Sequence, residues 1–412
     1  MITLYRIITG LAYALVYPYG RQRAAAGREL WRGRLGLIPR IGPKDVWIHA
    51  ASVGETKVAG CLIHYLKRKN KALSVHLSVM TEAGFRTAVK ELDPDITVSY
   101  FPLDASRSIR RTLDSIRPKV IVVAETEIWP NLVHAASQRG IPVILVNARM
   151  SEKAFRRYRM VKGSLRELLV LYDRFFIKTE VDRKRYDYFG VPRDKSVLAG
   201  DMKFDAPLQE RSEGRIREIR ARTGVKENQF LLVAGSTHPG EEEQLVDMYG
   251  VAKAEHPGLR LLLAPRHVER TPEIRALLES KRVPYYIYGE VAQHEGLILV
   301  DRIGLLADLY LAADLAFVGG TLVNLGGHNL LEPVWAGTPV LFGPNVDNVK
   351  EAADYIVEHV YGARVDSFDE LQGTVMSVLE GRRKFEIKTD ANMQGSATAL
   401  AGDYILRKLR DA

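Results

Sequence analysis

A repeated alternation of short apolar runs with amphipathic segments constrains the fold of this 412-residue chain more than any other feature. Apolar runs at Val46–His49, Ser74–Val79, Thr97–Tyr100, Val120–Ala124, Val143–Val146 and Phe175–Ile177 alternate with segments such as Lys57–Lys69, Arg107–Ile116 and Asn131–Arg139. Short apolar runs separated by helical periodicity belong to strands covered on both faces. The pattern predicts a parallel sheet in an α/β layer architecture. It restarts at Phe230–Ala234 and continues through Leu259–Ala264, Leu297–Val300, Leu315–Val318 and Val340–Phe342. Between the blocks, Gly200–Gly214 is polar and carries Pro207, as an interdomain linker would. Two Rossmann-like domains are therefore expected, facing each other across a cleft, with ligands at the carboxyl ends of the strands. Their boundaries read as 21–205 and 215–391, joined by 206–214, with a terminal helix in 392–412 whose docking partner is not evident.

A hydrophobic content of 46% and a charged content of 26% exclude a disordered or multi-span chain. The single cysteine, Cys61, lies in the apolar stretch Val58–Leu66 and reads as a core residue. It excludes an intramolecular disulfide and a cysteine-based metal cluster. Lys and Arg number 59 against 50 Asp and Glu, a net charge of +9. Such an excess suits nucleic acid, an acidic membrane or an acidic ligand, so its location decides. Much of it lies near the N-terminus. Ile7–Gly20 is uncharged, Tyr5, Tyr13, Tyr17 and Tyr19 suit headgroup depth, and Arg21, Arg23, Arg28, Arg32, Arg34 and Arg40 follow. This predicts a membrane-anchoring helix over residues 1–20, with the segment that follows held on the cytoplasmic side. A cleaved signal peptide fits poorly, because arginines separate the apolar run from Ala24-Ala25-Ala26. The alternative is a buried first helix with a solvated basic flank.

Polar loops follow the expected strands. His49–Glu55 (HAASVGE) makes a small-residue loop and places Glu55 at a helix start, where a carboxylate can take a proton from a sugar hydroxyl. The helix dipole is expected to lower its pKa. Ala124–Leu132 (AETEIWPNL) brings two carboxylates, Glu125 and Glu127, to the end of the fourth strand, and Asn147–Ser151 (NARMS) ends the fifth. Asp201–Asp205 (DMKFD) sets Lys203 beside the linker. In the second block, Gly235–His238 (GSTH) is a turn able to expose N–H groups, and Pro265-Arg266-His267 brings a cation for a phosphate. Phe317–Pro344 carries the glycine pairs Gly319-Gly320 and Gly326-Gly327. There, backbone N–H groups can close on an anion, at the start of a helix expected from Asn329 to Gly337. Glu332, in its first turn, can accept hydrogen bonds from ribose hydroxyls.

Together these segments resemble the Kdo transferases, GT-B glycosyltransferases that move 3-deoxy-D-manno-octulosonic acid (Kdo) from CMP-Kdo onto the lipid A precursor. The match is carried by HAASVGE (49–55), ETEIWPNL (125–132), NARMS (147–151), MKFD (202–205), GSTHPGEE (235–242), APRH (264–267) and FVGGTLVNLGGHNLLEP (317–333). The resemblance implies a GT-B fold, inverting transfer, CMP as leaving group, no metal, attachment to the cytoplasmic face of an inner membrane and no nucleic-acid partner. By it, Glu55 is the catalytic base, and Glu125 and Lys203 stabilise the transition state. Ser236, Pro265, Arg266, Ile303, Gly304, Leu305, Asn329, Leu330, Leu331 and Glu332 contact the donor. One segment departs from the pattern. Asp301-Arg302-Ile303-Gly304-Leu305 has Ile303 in place of the usual methionine and Leu305 in place of an acidic residue, so a backbone contact to CMP survives and a carboxylate contact does not.

Asp93-Pro94-Asp95 reads as a turn, the ten histidines lack ligand spacing, and no phosphate-loop lysine motif occurs. A sugar-nucleotide 2-epimerase, with a similar two-domain fold and no lipid acceptor, is the competing reading; preference for CMP over UDP separates the two.

Overall fold

The computed structural model describes residues 2–205, 212–290, 296–387 and 396–411. It divides into two compact units, Met1–Pro207 with Met393–Ala412, and Leu208–Asn392. The linker expected over 206–214 falls mostly at 206–211, outside the described residues, as does Pro207. Ser212 already caps the next helix, Glu213–Thr223, by accepting the Arg215 N–H.

The first unit holds β1 (Lys44–Ala50), β2 (Val75–Val79), β3 (Thr97–Tyr100), β4 (Pro118–Ala124), β5 (Val143–Ala148), β6 (Arg174–Ile177) and β7 (Ser196–Leu198). They form one parallel sheet in the order β3-β2-β1-β4-β5-β6-β7. The second unit holds β8 (Phe230–Thr237), β9 (Leu259–Pro265), β10 (Tyr285–Ile287), β11 (Leu297–Leu299), β12 (Leu315–Val318), β13 (Val340–Phe342) and β14 (Gly362–Arg364). These too are parallel, in the order β10-β11-β9-β8-β12-β13-β14. Each sheet reverses its winding once, at β1/β4 and at β8/β12. The adjoining loops diverge there, leaving the crevice where doubly wound folds bind ligands.

Both faces of the first sheet are covered. Val46, Ile48, Val120 and Val122 pack against Val58, Leu62 and Leu66 of the Val53–Lys69 helix, and Trp47, Ile121 and Val123 pack on the opposite side. Cys61 is buried. The C-terminal helix, Ala397–Asp411, also belongs to this unit. Gly402 lies against the Tyr65 ring, where a Cβ would come within 2.4 Å. The Tyr65 hydroxyl donates to Asp403 at 2.7 Å, and the Tyr404 hydroxyl donates to Asp173 at 2.6 Å.

The N-terminal helix, Ile2–Ala25, is docked along its length. Tyr13 is buried with Leu35 and Ala105 and donates to the Leu35 carbonyl at 3.0 Å. The Tyr5 hydroxyl donates to Asp104 at 3.0 Å, whose two oxygens accept the Asn131 and Leu132 N–H groups. Among the described residues, no helix is long and apolar enough to cross a membrane.

Candidate active site

At the first switch point, Glu55 sits in the third position of the Val53–Lys69 helix, which Ser52 caps. Its Oε2 accepts the Ala51 N–H at 2.7 Å and its Oε1 accepts the Ser52 hydroxyl at 3.1 Å, while Ser52 Oγ accepts the Glu55 N–H at 3.2 Å. This reciprocal capping box fixes the carboxylate with only 7% of the residue exposed. The expectation of a lowered pKa does not hold. Burial raises it, the Ala51 N–H works against that, and the neighbouring Glu125 adds to the rise.

Glu125 follows β4 directly, at φ +57°, and is nearly buried. Its Oε1 lies 3.2 Å from Lys203 Nζ. Lys203 rides on a single helical turn, Met202–Asp205, whose position is set from three sides. Asn147 Oδ1 accepts the Met202 N–H at 3.0 Å, Asp201 accepts the Lys203 N–H at 3.0 Å, and Asp205 accepts the Thr398 N–H of the C-terminal helix at 2.9 Å. Gly54 lies beside the ammonium, and a Cβ there would make only ordinary contact, 4.0 Å from Nζ. Glu127, half-buried beside Glu55 and Glu125, has its pKa pushed up to about 7, chiefly by burial and then by those two charges. Glu55, Glu125, Glu127 and Lys203, far apart in sequence, thus form one charged cluster. His49 of the same loop is structural: it stacks 3.8 Å from Phe101 between ring centroids, and burial holds its pKa near 3.

At the second switch point a cavity of ≈ 400 Å³ is lined by Ser236, Pro265, Arg266, Ile303, Gly304, Leu305, Asn329 and Glu332, and by Arg302, Tyr310 and His328. Arg266 is exposed, and its guanidinium makes no hydrogen bond or ion pair among the described residues. Glu332 accepts from Asn329 Nδ2 at 3.1 Å. Ile303 is 79% exposed at the rim. Leu330 and Leu331 do not line the cavity; their side chains are buried, so any contact they make with a ligand is through backbone.

Two features of this region differ from expectation. The helix expected from Asn329 to Gly337 spans only Leu331–Trp335, too short for a substantial dipole. The Gly319-Gly320 pair does close on an anion, but that anion is Glu241. Its Oε2 accepts the Gly320 and His238 N–H groups at 2.8 and 3.1 Å, and its Oε1 accepts those of Leu322 and Thr321 at 3.1 and 3.2 Å. The glycine turn is thereby fastened to His238, just past the end of β8, whose last residues are the Gly235–Thr237 expected as a turn, and its N–H groups are already used.

Asn147 on β5 and Ser236 on β8 share a local backbone geometry at different places in their sheets. Each lies at a register shift near its strand's end, with φ of +50° and +56°. A bulge of this kind re-aims side chains beside a site, and a left-handed non-glycine residue costs about 1–3 kcal/mol. Nothing in the sequence marks either position.

Comparison with known proteins gives the lineage. A family model described as 3-deoxy-D-manno-octulosonic-acid transferase (kdotransferase) matches residues 29–206. A 3-deoxy-D-manno-octulosonic acid transferase of Haemophilus influenzae is 33% identical over 373 residues, covering 90% of this chain and 86% of that one. The chain belongs to the 3-deoxy-D-manno-octulosonic acid transferase family. A member from Aquifex aeolicus is 30% identical and covers 91% of this chain and 98% of its own length. The chain spans about half (52%) of a bifunctional glycosyltransferase/methyltransferase of Fusobacterium nucleatum that it matches at 34% identity over 81% of its own length. Among solved structures, a UDP-GlcNAc 2-epimerase from Neisseria meningitidis aligns with TM-score 0.53 over 89% of this chain and all of that one. At 14% identity that likeness concerns the fold alone: two parallel-sheet α/β domains resembling those of GT-B glycosyltransferases. Residues Arg302–Leu305 line the cavity, with Gly304 at φ +86°. Leu305 carries no charge to the cavity wall. Arg302 and Tyr310, not singled out in the sequence, complete the wall.

Proposed function

We propose that this protein is an inverting glycosyltransferase that moves Kdo from CMP-Kdo onto a lipid A precursor and releases CMP. The single observation that carries the assignment is the meeting of Glu55, Glu125 and Lys203 at the first switch point. An acceptor hydroxyl placed against Glu55 attacks the anomeric carbon of Kdo and passes its proton to the carboxylate. The bond from that carbon to the phosphate oxygen breaks, and its electron pair leaves with CMP. Burial makes Glu55 a stronger base than an exposed glutamate, while the capping box fixes where its free lone pairs point. Lys203 offsets the neighbouring carboxylates and is available to the negatively charged sugar. We assign CMP to the cavity of the second domain, with Arg266 on the phosphate and Glu332 on the ribose.

A phosphate monoester leaving group gathers less charge than a diphosphate, and no metal enters this scheme. The direct test is mass analysis of products from CMP-Kdo and lipid A precursor with EDTA present. Loss of CMP with a gain of one or more Kdo units on the lipid supports the assignment, and no transfer from CMP-Kdo would overturn it.

We further infer that the protein sits on the cytoplasmic face of the inner membrane through the outer side of the Ile2–Ala25 helix. Leu4, Ile8, Leu11, Leu15 and Tyr19 fall on one stripe, all at least half exposed, with Leu15 at 83%. Arg107 and Arg111 lie over the Tyr17 ring at 5.8 and 5.6 Å, flanking the stripe with cations. This favours a helix lying in the interface rather than crossing it. Not every arginine of the basic flank is free for headgroups, since Arg34 is half-buried and donates to the Met80 carbonyl at 2.9 Å.

A further inference from the structure

The cavity of the second domain contains a pair of histidines that the scheme above leaves unused. His328 lines the cavity, next to Asn329 and across from Ser236 and Arg266. Behind it lies His238, 8% exposed. The two rings lie edge to edge, with centroids 5.0 Å apart and planes 10° from parallel, and their Nε2 atoms face each other at 2.7 Å. Gly320 makes this arrangement possible, because a Cβ there would meet the His328 ring at 3.1 Å and the His238 ring at 3.4 Å.

The geometry limits what the pair can carry. At 2.7 Å one hydrogen can lie between the two Nε2 atoms, but two N–H groups cannot face each other. The pair is therefore either neutral or singly positive. In the neutral pair one imidazole presents Nδ1–H and the other an unprotonated Nδ1; in the cation both Nδ1 atoms carry hydrogen and one proton is shared.

The surroundings decide between these states. His267 stands with its ring centroid 5.8 Å from that of His238, and Arg270 and Arg266 are near enough to act on it electrostatically. Arg270 is tied to Glu242 at 2.9 Å and to Glu273 at 3.1 Å. From the glycine turn, the Glu241 carboxylate reaches the His238 N–H, but its oxygens already accept four backbone donors. Glu332 is engaged by Asn329. Burial first, then these cationic neighbours, lower the pKa of both histidines, so the empty pair is neutral. An anion in the cavity reverses that balance.

We propose that the His238–His328 pair takes up one proton when the phosphate of the sugar nucleotide occupies this cavity, with His328 donating to a phosphate oxygen and His238 positioning it by sharing the proton behind. This deepens, and rests on, the assignment of the cavity to the donor. The donor phosphate is a diester with one negative charge. When the bond to Kdo breaks, the electron pair adds a second charge to the CMP phosphate. A cationic pair opposes that charge where it develops, and its proton stays on the imidazoles throughout.

The test is calorimetric binding of CMP to the full chain at pH 7.5 in buffers of differing ionisation enthalpy. The dependence of observed heat on buffer counts the protons taken up. The wild type should take up close to one proton per CMP, and its affinity should fall about tenfold per pH unit between the pKa of the free pair and that of the bound pair. His238→Gln, which can still hydrogen-bond His328 but cannot share a proton, and His328→Asn should each bind CMP more weakly, with uptake near zero and a flat pH profile. Arg266→Ala separates the two claims. If CMP does not bind the wild type, or binds Arg266→Ala equally well, the donor assignment itself falls. If CMP binds, Arg266→Ala weakens it, and the wild type takes up no proton, the histidine proposal alone is overturned.

Discussion

Replacing Glu241 by glutamine tests whether the glycine turn of the second domain is held by the protein's own carboxylate. Each Glu241 oxygen accepts two backbone N–H groups, at distances of 2.8 to 3.2 Å, and the residue is completely buried. Glutamine keeps one oxygen and turns an NH₂ toward the other two donors. Two buried N–H groups are then unpaired, at about 1–3 kcal/mol each. Burial raises the Glu241 pKa despite its four donors, so removing the charge returns part of this loss. A net destabilisation of about 3 kcal/mol follows, a large share of the roughly 5–15 kcal/mol that holds a domain folded. With a urea dependence of about 2 kcal/mol per molar, the midpoint of the second domain should fall by roughly 1.5 M. Amide exchange over residues 319–322 should accelerate at the same time. A midpoint within about 0.3 M of wild type, with exchange at those amides unchanged, would refute the role given to Glu241.

Lys203→Met leaves Glu125 beside Glu55 without its cation and should lower transfer about 100-fold, with CMP affinity unchanged because CMP binds the other domain; steady-state kinetics with calorimetry check both. Glu127 has a folded pKa of about 7 against an ordinary 4.5, so it binds a proton more tightly when folded. Its contribution to stability is present in acid and is lost as pH rises from about 4.5 through 7; urea midpoints of Glu127→Gln should show a smaller decline over that range than wild type. Replacing Leu4, Leu11 and Leu15 together by serine should weaken binding to anionic vesicles about 100-fold in flotation assays, at about 1 kcal/mol per half-inserted leucine, while the buried Tyr13 side keeps the helix docked. Deleting residues 1–20 is a poorer test, because it also removes Tyr5 from Asp104 and Tyr13 from its buried cluster.

The central strands were legible because each is covered by helices on both sides, which leaves an unbroken apolar run such as Val120–Ala124. Of the four described edge strands, Thr97–Tyr100 was legible and the other three were not. Ser196–Leu198, Tyr285–Ile287 and Gly362–Arg364 are three residues long and carry polar or exposed side chains, so nothing separates them from loops. The charged loops could be placed at strand ends because polarity changes abruptly there, as at Ala124-Glu125. What they do on arrival depended on contacts remote in sequence. Glu241 is one of three consecutive glutamates, and only packing shows which one turns inward to fill the glycine turn. Asp205 was read with the Lys203 segment, yet it caps a helix almost two hundred residues away. The left-handed backbone at Glu125 and Ser236 has no signature in side chains that rarely adopt it, and asparagine, which adopts it more readily, is too common to mark Asn147. The pairing of His238 with His328 depends on Gly320 and on a spacing of ninety residues.

The measurement that reaches the central claim most directly is transfer by Glu55→Gln, made alongside its affinity for CMP. Glutamine in this position still supports a capping box, so the helix start and the loop before it are kept. What it lacks is a carboxylate able to take the acceptor proton. Transfer from CMP-Kdo to lipid A precursor should fall about 100- to 10,000-fold, with CMP affinity equal to wild type. Transfer within about tenfold of wild type would show that Glu55 is only a helix cap and that the base lies elsewhere.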